Sequence, residues 1–319
     1  MTFDPDVKAL MLYVKRMGLF PIHKMGVETA RKNLDGNSTW DVPRQNVFRY
    51  EPHDIPTRDG VIQIRIYWPD LAADEPDPIN KEKARLPCLL MFHGGGFVLG
   101  DLDSYENSAR HYCNMAGIVV VNVGYRLAPE HKFPVAAEDS YVALNWVYDN
   151  ARQLGIDPER IALTGASAGG ILVIIMCLLA RDRKGPKIAL QIPVIPVLNL
   201  AKEATFPSRN DYIDDMADLR WFNDMYFSAE ADPNDVRVAP ILADNYSDLP
   251  PALVITAGHC PMRDEGLYYA DRLRAADIDV IYKCYEGANH QAMVLPGMIK
   301  AARQSTDLIT ATLKAKFEC

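Results

Sequence analysis

The chain has 319 residues, about half of them apolar (49%) and a quarter charged (24%), with a formal net charge of −8 at pH 7. That balance fits a globular protein able to bury a large core without disulfide or metal staples. Its mild acidity argues against nucleic acid or an anionic membrane surface as a partner. The six cysteines, at 88, 113, 177, 260, 284 and 319, form no CxxC pair, which speaks against a disulfide framework or a zinc site. Cys88 and Cys177 lie in apolar runs and are expected to pack as small hydrophobes. The start, MTFDPDVKAL, carries acids and no apolar h-region. The longest apolar run, ILVIIMCLLA (171–180), is too short to span a bilayer. The expectation is a cytoplasmic protein with no membrane span and no metal.

In chain order, residues 1–40 are expected to be helical, with Leu10, Met11, Val14, Met17 and Phe20 close to helical spacing and a break at Pro21. NVFRYEPHDI (46–55) and VIQIRIYWP (61–69) alternate apolar and polar residues across a polar turn, as a β-hairpin does. From about residue 85, short apolar strands follow one another: LPCLLMF, IVVVNV, RIALTG, IALQIPVI, ALVITAG and DVIYKCY. Helical segments separate most of them, one amphipathic over about 135–153, and GIDPER (155–160) is expected to make the turn into the next strand. Such alternation predicts an α/β architecture, a mostly parallel central sheet flanked by helices. The stretch 201–250 is rich in Asp, Tyr, Trp and Pro, has no strong strand, and reads as an insertion. With the N-terminal helices it could cover the end of the sheet where ligands bind. No domain boundary is evident, so a single domain over 1–319 is expected, with a cap from about 1–45 and 201–235.

Three motifs carry chemistry. TGASAGG (164–170) follows one strand and precedes a long apolar helix, so Gly165-x-Ser167-x-Gly169 has the placement of a nucleophile elbow. MFHGGGFVLGD (91–101) supplies Gly94, Gly95 and Gly96 after a strand and His93. Their backbone N–H groups, with that of Ala168, can converge on a developing oxyanion. A phosphate-cradling reading of this loop fits poorly, because no lysine follows in Walker spacing. YEGANHQAM (285–293) presents His290 between the last strand and the last helix, where the base of a Ser-acid-His order falls. His290 is expected to take the Ser167 hydroxyl proton and later return one to the leaving group.

With these motifs the chain resembles the hormone-sensitive-lipase branch of the α/β-hydrolase fold. YRLAPEHKFP (125–134), FPVAAEDSY (133–141), LGIDPERIAL (154–163) and LPPALVITAG (249–258) extend the resemblance over nearly everything from about residue 85 to the end. The resemblance implies a helical cap from the N-terminus and hydrolysis of carboxylic esters, mostly with short acyl chains, without metal or cofactor. The partner it implies is a small-molecule ester. The last strand and terminal helix are a common dimer surface in that family, which leaves a homodimer open.

Four departures from the family pattern stand out. Ala166 stands where an Asp usually precedes the nucleophile, Ile171 replaces an Asn, and Gln291-Ala292 replace Gly-Phe after the histidine. The fourth is the turn CPMRDE (260–265), which matches Asp-Pro-Leu-Arg-Asp-Glu; the family's first Asp is the triad acid, and here that position is Cys260. A neutral thiol accepts weakly and carries no charge, whereas a thiolate beside His⁺ could stand in for a carboxylate. Asp264 could serve as a substitute acid, although Asp264 and Glu265 also suit the start of the next helix. Two classes of function follow: a serine carboxylesterase with a substituted acid, or a non-hydrolytic ligand-binding protein or lyase that keeps the pocket. The resemblance allows the second, since relatives include a plant hormone receptor and a dehydratase with altered triads. Tyr212, Trp221, Phe222, Tyr226 and Phe227 are open to lining an acyl or aromatic pocket or to packing as core.

Overall fold

The computed structural model describes residues 2–18, 21–34, 42–70, 85–200 and 213–318. Two helices open the chain, α1 (Pro5–Met17) and α2 (Val27–Leu34), joined through a short 3-10 turn at Ile22–Lys24. Gly18 closes α1 in the left-handed conformation, a geometry glycine adopts without steric cost. The predicted hairpin forms from β1 (Arg49–Thr57) and β2 (Gly60–Trp68), antiparallel with Ile55 opposite Ile62. The remaining elements alternate: β3 (Leu86–Phe92), α3 (Glu106–Ala116), β4 (Val119–Gly124), α4 (Val135–Asn150), β5 (Ile156–Ala166), α5 (Ala168–Asp182), β6 (Leu190–Val194) and α6 (Ile213–Tyr226). β7 (Ala252–His259), α7 (Arg263–Ala275), β8 (Val280–Asn289) and α8 (Lys300–Phe317) complete the fold.

The eight strands form one sheet in the order β1-β2-β4-β3-β5-β6-β7-β8. β2 alone runs against the others, antiparallel to both of its neighbours β1 and β4, and β3 through β8 pair in parallel. Parallel strands need helices on both faces, and they read as continuous apolar runs because both faces are covered. β3 and β4 show this directly, with Cys88 to Phe92 and Val119 to Val123 buried. α5 is apolar on every side and buried from Ala168 to Ala180, so it packs inside the molecule. Cys88 and Cys177 are buried in the same core.

The segment GIDPER differs from its sequence reading. β5 already begins at Ile156: Leu86 pairs with Ile156, yet Cys88 pairs with Ile161. The intervening DPER therefore bulges within one strand instead of forming a turn before it. The pull is apolar, because Ile156 is fully buried, and the Leu86 N–H bonds to the Gly155 carbonyl at 2.9 Å. The helix expected over 135–153 ends at Asn150, followed by turn residues. Among the described residues no helix is long and apolar enough to cross a membrane, and no group of three or more His, Cys, Asp or Glu could hold a metal ion.

Candidate active site

Ser167 sits between β5 and α5 with φ 57° and ψ −115°, a strained conformation for a residue with a side chain. Its neighbours allow it. A Cβ on Gly169 would lie 2.0 Å from the Phe92 carbonyl oxygen, and one on Gly165 would meet the Gly169 carbonyl at 2.5 Å. The turn is thus compressed against the end of β3, and the Ser167 N–H is tied to the Val194 carbonyl at 2.9 Å. Expulsion of the serine side chain toward the cavity follows from this packing.

The glycine loop after β3 is arranged by its carbonyls. His93 is buried and stacks on Tyr125 at 4.1 Å, and Nδ1 of His93 donates to the Gly94 carbonyl at 2.8 Å. Burial pushes the His93 pKa down to about 4, so the ring is neutral at pH 7. The Gly95 carbonyl accepts from the Val98 and Leu99 N–H groups at 3.1 and 2.8 Å. In a trans peptide the N–H points opposite to the C=O. Anchoring these two carbonyls inward therefore turns the Gly95 and Gly96 N–H groups the other way, and all three glycines line the cavity that contains Ser167. Gly95 and Gly96 hold φ of 112° and 61°, which only glycine adopts freely. Ala168 opens α5, so its N–H has no acceptor within the helix.

His290 reaches the site through strand register. β7 and β8 are parallel neighbours, with His259 opposite Asn289, so the next residues, Cys260 and His290, emerge side by side. The pairing shifts between Ala257 and His259, and Gly258 permits it, since a Cβ there would lie 2.3 Å from the Glu286 carbonyl. Asn289 caps the turn after the histidine, its Oδ1 accepting from the Ala292 N–H at 3.0 Å. Nε2 of His290 lies 2.8 Å from Ser167 Oγ, and Nδ1 lies 3.2 Å from Cys260 Sγ. The three side chains are in line, with sulfur at the far end. Burial pushes the His290 pKa down to about 4.

The two carboxylates of this turn face elsewhere. Asp264 is in the first turn of α7 and its Oδ1 takes the Arg263 guanidinium at 2.6–2.7 Å. The partner of His290 Nδ1 is Cys260, and Asp264 is spent on its neighbour. Glu265 goes beyond the helix-start role expected of it: it is buried, and Oε2 accepts the Leu198 N–H at 2.6 Å, pinning the segment after β6.

The cavity has a volume of about 260 Å³ and is mostly apolar, with Leu10 and Val14 of α1, Ile22, Leu219 and Phe222 of α6, and Met262 in its wall. Of the aromatic residues singled out from the sequence, Phe222 lines it. Tyr226 is core, stacked on Phe97 at 4.1 Å, and Phe227 packs on Phe133. Trp221 meets Phe222 edge-on at 5.1 Å, and Tyr212 lies outside the described residues. One cavity residue carried no signal in the sequence: Asp218, one turn before Phe222, which accepts from the backbone N–H and Nδ1 of His23 at 2.7 Å each. A lone acid in an irregularly patterned segment cannot be told from a solvated one until the fold brings His23 to it.

Comparison with known proteins identifies the family. The family model described as the alpha/beta hydrolase fold matches residues 89–294. Esterase LipI of Mycobacterium tuberculosis is 36% identical over 291 residues, covering 88% of this chain and 86% of that protein. An arylesterase of Saccharolobus solfataricus is 33% identical over 321 residues, covering 100% of both. The solved structure of a hyperthermophilic esterase from the archaeon Pyrobaculum calidifontis superposes with a TM-score of 0.86 at 34% identity, covering 99% of each chain. Strand order and matched family model agree, and the chain belongs to the alpha/beta hydrolase fold family in its hormone-sensitive-lipase-like branch.

Proposed function

We propose that this chain hydrolyses small carboxylic esters through an acyl-enzyme on Ser167, with His290 as general base and Cys260 in the place of the triad acid. Its relatives named above are an esterase and an arylesterase. The observation that carries the finer reading is the line Ser167 Oγ, His290 Nε2 at 2.8 Å, His290 Nδ1, Cys260 Sγ at 3.2 Å. In this reading the N-terminal helices and α6 act as a cap over one domain, and their apolar residues seat the ester.

The chemistry follows from what each group can hold. Ser167 attacks the ester carbonyl while Nε2 takes its proton, and the oxyanion forms against the N–H groups of Gly95, Gly96 and Ala168. The imidazolium then protonates the leaving alcohol, and water repeats the sequence to release the acid. For Nε2 to accept, the ring hydrogen must sit on Nδ1. A carboxylate enforces that tautomer because it cannot donate, and it stabilises the imidazolium by its charge. A thiol does neither: its S–H can donate to Nδ1 and hold the ring in the opposite tautomer. In this reading Ser167, His290 and the three N–H groups serve as nucleophile, base and oxyanion donors, with a weak support behind the base.

The reading is tested with a p-nitrophenyl ester of a short acyl chain. Turnover is expected in the wild-type protein and lost in Ser167→Ala. Equal rates in the two would overturn the esterase reading and leave the cavity to a non-hydrolytic ligand or a lyase reaction.

A further inference from the structure

Asp218 is a carboxylate in the wall of an apolar cavity, and only half of it is occupied. Its side chain is 9% exposed, and Oδ1 receives both bonds from His23. Oδ2 has no hydrogen-bond partner among the described residues, yet it is not sealed from solvent-sized space, and Asp218 lines the cavity. Oδ2 thus keeps accessible surface on a residue of the cavity wall. Leu10, Val14, Ile22, Leu200, Leu219 and Phe222 surround that space, and Asp218 is the one carboxylate among the described lining residues. A carboxylate oxygen without a donor in such surroundings is costly, and a ligand that brings a donor removes the cost.

Its position relative to the chemistry is set by α6. Asp218, Phe222 and Tyr226 are spaced by four residues and share one helix face. Tyr226 stacks on Phe97, and a Cβ on Gly96 would lie 2.3 Å from the Phe222 ring, so this face is laid along the glycine loop. Asp218 stands one turn further out, roughly 6 Å along the helix from Phe222.

We propose that Asp218 is a specificity-determining residue, a subsite for esters that carry a hydrogen-bond donor, a hydroxyl or an ammonium group, on the chain that runs from the ester carbon to the cap. This rests on the esterase reading for its kinetic test and on cavity geometry alone for its binding test. Oδ1 is fixed by His23, so Oδ2 is oriented before the ligand arrives, which favours recognition.

The test compares matched pairs: p-nitrophenyl hexanoate with p-nitrophenyl 6-hydroxyhexanoate, and hexyl acetate with 6-hydroxyhexyl acetate, which assigns the donor to the acyl or the alcohol side. A hydrogen bond to a charged group predicts a preference in kcat/KM of about ten- to hundredfold for the hydroxylated member of one pair. In Asp218→Leu that preference disappears. Asp218→Asn keeps an amide oxygen for His23 and turns its NH2 into the cavity; a hydroxyl can still bind there by accepting, but an ether oxygen, which the carboxylate cannot bind, is now accepted too, so the 6-methoxy ester should gain about tenfold relative to the 6-hydroxy ester. A purely structural latch would leave the methoxy-to-hydroxy ratio unchanged. Calorimetric titration of Ser167→Ala with heptan-2-one and 7-hydroxyheptan-2-one reads the same subsite without turnover. If no ester is turned over but the hydroxyketone binds at least tenfold more tightly, the esterase reading fails and the subsite stands. If esters are turned over but both pairs give ratios near one in wild type and both variants, or the two ketones bind alike, the subsite is wrong.

Discussion

The serine side and the acid side of this site are built to different standards. Around Ser167 and the glycine loop, backbone meets backbone so closely that Gly165, Gly169 and Gly95 could not bear a Cβ without displacing carbonyl groups 2.0–2.5 Å away. Identity and position are bound together there. At the acid corner the frame is equally firm: the Cys260 N–H bonds to Ala257 O at 3.1 Å, the Arg263 N–H to Cys260 O at 3.1 Å, and Glu265 to the Leu198 N–H. None of those bonds uses the Cys260 side chain. Position is thus fixed by backbone, while the charge that would occupy it is free to vary. The comparison teaches that the position of the side chain behind His290 and the charge it carries are separable: backbone bonds hold the position, and a cysteine occupies it.

The largest expected effect breaks the contrast by restoring the missing charge. Cys260→Asp should raise kcat by about 10² to 10⁴, the scale lost when a serine protease acid is made neutral. A short-chain p-nitrophenyl ester measures it. No gain would mean that sulfur already supplies the charge as a thiolate, or that the reaction is not hydrolysis. Cys260→Ser, a neutral group of similar shape, should leave the rate within about tenfold of wild type if the thiol acts as a neutral group, and lower it further if a thiolate is at work.

Attacking the other side should instead break position. Gly169→Ala forces a methyl against the Phe92 carbonyl, which lies 2.0 Å from where it would stand. The expected cost is about 1–3 kcal/mol of stability from overpacking, with loss of about 10²-fold in kcat as Ser167 shifts. Urea unfolding and the same ester assay separate the two effects. Adding Cys260→Asp to Gly169→Ala should recover the factor due to charge and none of the factor due to position.

Much of this was legible in the sequence, for physical reasons. Apolar runs bounded by turns gave β3 to β8, since both faces of a parallel sheet are covered and the strands must be continuously apolar. That Ser167, His290, Cys260 and the three glycines would meet at one place was readable because each belongs to a contiguous motif. What was not readable depends on chain meeting chain. Glu265 looked like a helix-start acid because nothing near it in sequence reveals Leu198, 67 residues away. Asp218 and His23, 195 residues apart, carry no local signature at all. DPER looked like a turn because its composition is that of a turn, and the burial of Ile156 overrode it.

A moderate effect is expected in pH dependence, and it sharpens the electrostatic half of the comparison. Burial lowers the His290 pKa to about 4 from an ordinary 6.5, with no carboxylate on Nδ1 to oppose it. A lowered pKa means that the neutral, proton-accepting form persists to lower pH. The acid limb of kcat/KM, which reports the free enzyme, should therefore have its midpoint near pH 4 to 5. In Cys260→Asp the added anion favours the imidazolium, so the midpoint should move up toward 6 or above while the plateau rises. A wild-type limb already near 7 would show that an anion sits beside His290. The same shift has a cost in stability: the unfolded chain binds a proton at His290 below about pH 6.5 and the folded one does not until about 4. Folding free energy present above pH 6.5 is then lost as pH falls toward 4, so rates should be read with circular dichroism to confirm the fold at each pH.

The smallest effect tests whether the acid corner's frame stands without the acid. Glu265 is buried and gives the Leu198 N–H its acceptor at 2.6 Å. Glu265→Ala leaves that N–H without an acceptor and should cost about 1–3 kcal/mol in urea unfolding, whereas Glu265→Gln keeps an oxygen in place and should cost less than about 1 kcal/mol. In the Cys260→Asp background the rate gain should survive Glu265→Gln almost unchanged, because a neutral amide holds the loop as well as a carboxylate does. If the gain instead falls with the loss of the Glu265 charge, then Glu265 would be contributing to the field at His290, and the separation of position from charge at this corner would fail.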